Sequence, residues 1–160
     1  MCNRSILVLR SPTLPSVRRA IDHLGVVTRD LSAAGAELER LGLGRTDAGI
    51  AEEYGVSCEF WTLGEGVTGP AVELVSPIRA GSVVDSALAR GGPGVHHLAI
   101  EVDDVTRVLE QLRRNGAIPL DERPRAGARD GMRVAFVYLG RATGLVVELV
   151  DYRGPRRSRA

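Results

Sequence analysis

The chain contains three histidines, and all of them lie in two short segments of similar sequence. His23 stands in the segment IDHLGV, whereas His96 and His97 stand in the segment VHHLAI. Two glutamates, Glu73 and Glu148, occur in a second repeated segment that reads VELV in both places. Imidazole nitrogens and carboxylate oxygens together bind divalent transition metals, so these residue types could hold Co, Ni, Mn, Zn or Fe.

The two histidine segments belong to a longer internal repeat, which is the first feature to look for in a new sequence. One constant offset relates four pairs of identical residues, namely His23 and His97, Asp30 and Asp104, Leu38 and Leu112, and Gly42 and Gly116. The two glutamates follow at an offset that is one residue longer. Each copy therefore carries one histidine near its start and one glutamate near its end.

Both copies show the same order of secondary-structure patterns. A short apolar strand is followed by a helix, and in the second copy the apolar residues Val105, Val108, Leu109 and Leu112 have the spacing of one helical face. Glycine-rich turns then separate three further strand patterns in each copy. The sequence thus predicts an α+β fold made of two βαβββ modules, arranged by a pseudo-twofold axis so that they form a cleft.

The module boundaries follow from the same pattern. The first module is predicted at 20–78 and the second at 94–152, with a linker helix and a Gly-rich turn at 79–93. Residues 1–19 and 153–160 are rich in Arg, Pro and Ser, and this composition predicts flexible tails.

Strand alternation indicates which of these side chains share a face. His23 lies beside Gly25, and His97 lies beside Ala99, on the face directed away from the helix. His96 points to the helix side, where a packed histidine with a backbone hydrogen bond is expected. Glu73 and Glu148 also leave the helix-facing core. If the halves pack symmetrically, a cleft can collect the predicted metal ligands His23, Glu73, His97 and Glu148. Such a site leaves positions open for substrate, whereas a closed structural zinc site would normally use thiolates.

Composition excludes several other classes of function. The net charge of +1 gives no global field that would attract nucleic acid, and 44% hydrophobic residues is ordinary for a globular domain. No apolar run approaches the ~18–20 residues that a membrane span requires. The two cysteines, Cys2 and Cys58, cannot form a disulfide framework, so a cytoplasmic location is expected.

The repeat and its motifs resemble the vicinal oxygen chelate superfamily, which includes glyoxalase I, extradiol dioxygenases and bleomycin-resistance proteins. Within it, the sequence is most similar to the methylmalonyl-CoA epimerase family. The matching segments cover most of the chain between residues 20 and 152. They are 21–26 (IDHLGV), 72–77 (VELVSP), 94–104 (GVHHLAIEVDD), 121–127 (DERPRAG) and 144–149 (GLVVEL).

This resemblance implies a divalent-metal-dependent epimerase or isomerase that is a homodimer and acts on a small acyl substrate such as a CoA thioester. The ion would be bound by the four ligands named above and would stabilise an enolate. Glu148 is then the expected base that removes the proton next to the carbonyl. Alternatives within the superfamily are a glyoxalase I-like lyase, an isomerase or cyclase of a biosynthetic pathway, and a metal-free binding protein of the resistance type. The epimerases commonly have Gln where Glu73 stands, and Glu there is similar to glyoxalase I.

The sequence departs from the epimerase pattern on the third strand, where some epimerases carry a second catalytic glutamate. An ungapped match places Cys58 there and turns Glu59 to the other face, although a one-residue slip would return Glu59 to the cleft. Both are candidate catalytic residues, and a buried, inert Cys58 is the alternative. Tyr138 is a candidate substrate-binding residue. Arg125 and Arg133, with Arg129 between them, are candidates for holding an acidic or phosphate group.

Overall fold

The computed structural model describes residues 20–64 and 69–153. The predicted N-terminal tail, 1–19, lies outside these residues, as does the predicted C-terminal tail beyond Arg153. Cys2 is also outside them. None of the helices in the described part of the chain has the length and apolar character that a membrane crossing requires.

Two halves of the chain contribute strands and helices in a similar order. The first half forms β1 (Ala20–Val27), α1 (Leu31–Arg40), β2 (Leu43–Ala51), β3 (Val56–Leu63) and β4 (Ala71–Pro77). A short helix follows as α2 (Asp85–Gly91). The second half forms β5 (Gly94–Glu101), α3 (Val105–Arg114), β6 (Ile118–Pro119), β7 (Arg125–Ala126), β8 (Met132–Tyr138) and β9 (Val146–Tyr152).

All of these strands belong to one sheet with the order β2-β3-β4-β1-β5-β9-β8-β6, and β7 pairs with β8. The first strands of the two halves, β1 and β5, pair with each other in antiparallel orientation at the centre. Each of them also has a parallel partner from its own half, β4 for β1 and β9 for β5. The two halves are therefore joined within one chain.

The sheet curls so that its two ends approach each other. Gly49 on β2 belongs to one end of the strand order, and the segment between β7 and β8 belongs to the other. A side chain at Gly49 would place its Cβ only 1.8 Å from the carbonyl oxygen of Ala128. This close backbone contact encloses the face of the sheet that carries the predicted ligands.

Helices α1 and α3 cover the opposite face of the sheet, and each is capped by an aspartate. Asp30 accepts a hydrogen bond from the amide of Ala33 at 3.0 Å, and Asp104 accepts one from the amide of Arg107 at 3.1 Å. Such caps satisfy amide groups that have no partner inside the helix. Helix α3 buries three apolar side chains against β8 and β9, namely Val105, Val108 and Leu109.

The larger apolar cluster lies on the enclosed face and draws residues from both halves. It includes Cys58 and Phe60 of β3, Ala99 of β5 and Val134 of β8. Its members alternate along their strands with the residues that face the helices, as expected for a sheet that is covered on both sides. The predicted α+β fold with a strand-dominated sheet is confirmed.

Candidate metal centre

The four predicted ligands lie on the four central strands of the sheet. His23 is on β1, Glu73 on β4, His97 on β5 and Glu148 on β9. Ala99 is paired with both His23 and Glu148, so these two residues flank one small side chain. The strand order and the registers therefore bring the four side chains together on one face.

Gly25 plays the equivalent part in the first half, since it is paired with both Glu73 and His97. A Cβ at Gly25 would lie 2.0 Å from Cε1 of His97. The space next to Gly25 is thus occupied by the imidazole of His97. Glycine is required here because of this close approach.

The ligand atoms converge closely. The Nε2 atom of His23 lies 2.7 Å from Oε2 of Glu148 and 3.2 Å from Oε2 of Glu73. The Nε2 atom of His97 lies 3.2 Å from Oε2 of Glu73 and 3.4 Å from Oε2 of Glu148. The two Nε2 atoms are 3.3 Å apart. Four potential ligand atoms, one from each residue, all lie within 4.8 Å of one another.

All four side chains are removed from solvent. His23 is 0% exposed, and the other three residues are each 5% exposed. Burial alone would lower the pKa of His23, but hydrogen bonds with Asp22, Glu148 and Glu73 raise it to about 12. Burial also opposes protonation of His97, whereas Glu148 and Glu73 raise its pKa to about 9. For Glu73 and Glu148, burial raises the pKa, but the two histidines outweigh it and lower the pKa of both carboxyl groups.

The residues fit a divalent ion. Ligands at ~2.0–2.2 Å from an ion lie ~3 Å from their neighbours, which is the separation seen among these nitrogen and oxygen atoms. Oε2 of Glu148 is buried and lies 2.7 Å from Nε2 of His23, but the two groups do not have the geometry of a regular hydrogen bond. A buried polar atom without a partner needs an explanation, and a cation bound between these atoms would supply one. A set of two imidazoles and two carboxylates suits the ions predicted from the sequence.

Each histidine also contacts the residue that precedes it. Nδ1 of His23 lies 2.9 Å from Oδ1 of Asp22, and Nδ1 of His97 lies 3.1 Å from Nδ1 of His96. The contact that the structure gives His96 is therefore with a side chain, not the backbone contact predicted. Asp22 was not singled out from the sequence, because strand alternation assigns it to the face opposite His23.

Cys58 lies on the same face as the ligands. Its thiol is buried, and burial raises its pKa, with a further rise from the charge and the hydrogen bond of the neighbouring Glu73. The thiol therefore keeps its proton near the cluster. Burial and a raised pKa are what the alternative, a buried and inert cysteine, predicts, and the role of Cys58 as a catalytic residue stays a prediction.

Glu59 faces the other side of the sheet, which corrects its prediction as a catalytic residue. The pairing of β3 with β4 runs without a register shift from Val56 to Trp61, so no bulge turns Glu59 toward the cleft. Its carboxylate instead pairs with Arg45 at 2.8 Å.

The prediction that Arg133 binds substrate is also wrong. Arg133 alternates on β8 with the residues of the enclosed face, so its side chain lies on the other face. Its guanidinium pairs with Asp151, whose carboxylate accepts a hydrogen bond from the amide of Val105 at 2.8 Å. Arg133 therefore supports the start of helix α3 rather than a substrate.

Arg125 and Tyr138 remain candidates for substrate contact. Nε of Arg125 lies 3.2 Å from Asp121, and its guanidinium lies over the ring of Tyr54, so it links the two halves at the rim. Tyr138 is two residues beyond Phe136, whose ring contacts His97, and by alternation it shares that face.

Arg129 was predicted, with Arg125 and Arg133, as a candidate for holding an acidic or phosphate group, and in the structure it reaches across to the first half. Its Nη1 atom lies 3.2 Å from Oδ1 of Asp22 and 3.1 Å from the hydroxyl of Tyr152. Its guanidinium carbon lies 3.5 Å from the centre of the Phe60 ring, which in turn contacts His23 edge-on. These residues form a buried shell around His23.

The chain resembles known proteins of one superfamily. The family described as the glyoxalase/bleomycin resistance protein/dioxygenase superfamily matches residues 22–136. An ethylmalonyl-CoA/methylmalonyl-CoA epimerase of Cereibacter sphaeroides is 31% identical over 133 residues, which are 81% of this chain and 95% of that protein.

Solved structures show the same relation. The crystal structure of methylmalonyl-CoA epimerase from Mycobacterium tuberculosis superimposes with a TM-score of 0.77 at 25% identity, covering 94% of this chain and 98% of that one. A variant of the Streptomyces coelicolor methylmalonyl-CoA epimerase, in complex with 2-nitronate-propionyl-CoA, gives a TM-score of 0.73 at 32% identity, covering 87% and 100%. The chain belongs to the glyoxalase/bleomycin resistance protein/dioxygenase superfamily, and within it these relatives are methylmalonyl-CoA epimerases.

Proposed function

We propose that this protein is a divalent-metal-dependent epimerase that removes and returns the proton on the carbon next to the carbonyl of an acyl thioester. The observation that carries the proposal is the buried convergence of two histidines and two glutamates within 4.8 Å. The names of the relatives suggest a 2-substituted malonyl thioester as substrate.

The ion would be held by His23, Glu73, His97 and Glu148, and it would supply Lewis acidity toward the carbonyl oxygen of the substrate. Glu148 is the proposed base. Its carboxylate is buried, and the Oε2 atom faces the cluster, 2.7 Å from Nε2 of His23. The lowered pKa of Glu148 keeps the carboxylate ionised before the reaction.

Epimerisation needs a second proton carrier on the opposite face of the substrate carbon, and Cys58 is the candidate. Its raised pKa keeps the thiol protonated, so the S–H group can donate to the carbon after Glu148 has removed the first proton. The reverse reaction exchanges the two roles, with the thiolate accepting and the protonated Glu148 donating.

The first test follows hydrogen exchange at the 2-position of methylmalonyl-CoA in deuterated water, by NMR, with the Co²⁺-loaded protein. Glu148→Gln should slow exchange by ~10²–10⁴-fold, the usual effect of removing a general base. Glu59→Gln is the matched control, because this carboxylate lies on the other face, and it should leave the rate unchanged. Exchange that is equally fast in Glu148→Gln would contradict the role of Glu148.

Cys58→Ala tests the second proton carrier. Glu148 alone should still exchange the proton of the epimer that it can reach, but it returns deuterium to the same face. Conversion between the epimers should therefore fall by ~10²-fold or more while exchange in one epimer persists. Equal loss of both rates would argue for a packing role of Cys58.

A glyoxalase I-like lyase is the second candidate, and the specific observation in its favour is Glu73 in place of the Gln that is common in the epimerases. Activity on a hemithioacetal, without exchange on the malonyl thioester, would favour it. A metal-free binding protein would not need a buried cluster of this composition. A homodimeric assembly and a cytoplasmic location stay predictions.

A further inference from the structure

The residues that precede the two ligand histidines occupy irregular positions in the central strand pair. The ladder between β1 and β5 has one shift between Ile21 and His23, and another between Gly25 and Val26. These shifts skip one residue on each strand in the pairing register, namely Asp22 on β1 and His96 on β5. A bulge re-aims side chains, and each of these two residues here contacts Nδ1 of the histidine that follows it.

Asp22 is the more strongly held of the two. It is 3% exposed, and besides His23 it contacts Nη1 of Arg129 at 3.2 Å. The hydroxyl of Tyr152 lies 3.2 and 3.1 Å from its two carboxylate oxygens. An ionised carboxylate can only accept hydrogen bonds, so the proton of a neutral His23 is placed on Nδ1. The lone pair of Nε2 is then directed at the other three ligands.

Arg129 is fixed from several sides. Its guanidinium contacts the carboxylate of Asp22 and the ring of Phe60, which itself packs edge-on against His23. Its Nε atom also lies 3.6 Å from Oδ2 of Asp47, and its Nη1 atom lies 3.1 Å from the hydroxyl of Tyr152. Its side chain is 10% exposed, so its charge balances that of Asp22 in a largely dry environment. Arg129 comes from the segment between β7 and β8, whose backbone also contacts Gly49. The surroundings of His23 therefore depend on a segment of the second half.

We propose that Asp22 and Arg129 are positioning residues for the metal centre, which hold His23 in the ring orientation and tautomer that bind the ion. The proposal rests on the proposed metal site. Because Arg129 belongs to the segment between β7 and β8, the position of that segment and the affinity for the ion are coupled.

The test uses Co²⁺ alone, without substrate, on the full chain. Binding is measured by titration, and the absorption spectrum of the Co²⁺-saturated protein reports the ligand field. Asp22→Asn keeps the shape of the side chain but removes its charge, and it should weaken Co²⁺ binding by ~10–100-fold and alter the spectrum. Arg129→Met, which leaves Asp22 in place, should weaken binding in the same direction by a smaller factor.

Asp151→Asn is the matched control, since Asp151 is also a buried aspartate paired with an arginine, but it supports helix α3 instead of a histidine. It should lower thermal stability and leave affinity and spectrum as in the wild type. Asp22→Asn with wild-type affinity and spectrum would overturn the proposal. If Asp22→Asn does not fold, wild-type affinity in Arg129→Met would overturn it instead. A wild-type protein that binds no Co²⁺ would overturn the metal site itself, and with it the proposed function.

Discussion

The two halves of the sheet supply the same pair of side chains, one histidine and one glutamate, from equivalent strands. Their surroundings differ. His23 is backed by a carboxylate, Asp22, whereas His97 is backed by a second imidazole, His96. Burial lowers the pKa of both histidines, but Asp22 and the two glutamates raise that of His23 to about 12, whereas the two glutamates alone raise that of His97 to about 9. The repeat places the proposed ligands, and the residues that precede the two histidines make their surroundings unequal.

Loss of each histidine in turn should have the largest effect on the affinity for Co²⁺. His23→Ala and His97→Ala should both weaken Co²⁺ binding by more than the ~10–100-fold typical of an outer partner, and His23→Ala should be the worse of the two. The reason is that Asp22 and Arg129 lose their target along with His23. Elemental analysis of cobalt per chain after dialysis gives the order. A larger loss of bound cobalt in His97→Ala than in His23→Ala would contradict the stronger contribution of His23 to ion binding.

The dependence of ion binding on pH should also separate the halves. An imidazole must lose its proton to bind an ion, and both histidines are protonated at neutral pH in the ion-free protein because their pKa values are raised. Below the pKa of His97, about 9, uptake of Co²⁺ should therefore release about two protons, and affinity should rise as pH increases from 6 to 8.

Calorimetry in buffers of different ionisation enthalpy counts these protons. In His97→Ala the count should fall to about one, which belongs to His23. Uptake without proton release would mean that the histidines are neutral before the ion binds.

The two glutamates offer a milder test. Glu73→Gln introduces the residue that is common in the epimerases at this position, so the protein should keep Co²⁺ and much of its exchange activity. The loss should be smaller than the ~10²–10⁴-fold expected for removal of a general base in Glu148→Gln. The NMR exchange assay described above measures both variants side by side. Equal losses would show that the halves share the proton-transfer role.

His96→Gln should have the smallest effect. The amide oxygen of Gln can still accept a hydrogen bond from His97, and a neutral acceptor binds more weakly than a carboxylate in any case. Affinity for Co²⁺ should therefore change by less than ~10-fold, the lower limit for an outer partner. A larger effect than that of Asp22→Asn would contradict the difference between the halves.

The convergence of the four proposed ligands could be predicted because repeat and alternation are both local properties of a sequence. Similar segments fold alike, and a period of two turns His23 and His97 each away from the helix of its own half, without any knowledge of the partner strands. The same rule placed Cys58 toward the cleft and Glu59 away from it, and the regular ladder between β3 and β4 removes the slip that was the alternative.

The contacts of Asp22 and Arg129 with the surroundings of His23 could not be predicted, because they do not follow from local sequence patterns. Alternation assigns Asp22 to the face opposite His23, and only the irregular pairing with β5 turns it back toward the histidine. Arg129 and Arg133 lie near each other in a basic stretch, yet one contacts the first half and the other supports helix α3. The tertiary path of the chain between β7 and β8 decides this, and no local pattern encodes it.

The close approach of Gly25 to His97 has an evolutionary consequence. One added methyl group at position 25 would collide with the imidazole ring, so the ring would have to move away from its partners. A related protein could thus lose the proposed metal site through a substitution at this position, although all four proposed ligands remain in its sequence. Among related sequences, the four ligands alone are therefore an insufficient mark of a competent site, and the residue at position 25 has to be considered with them.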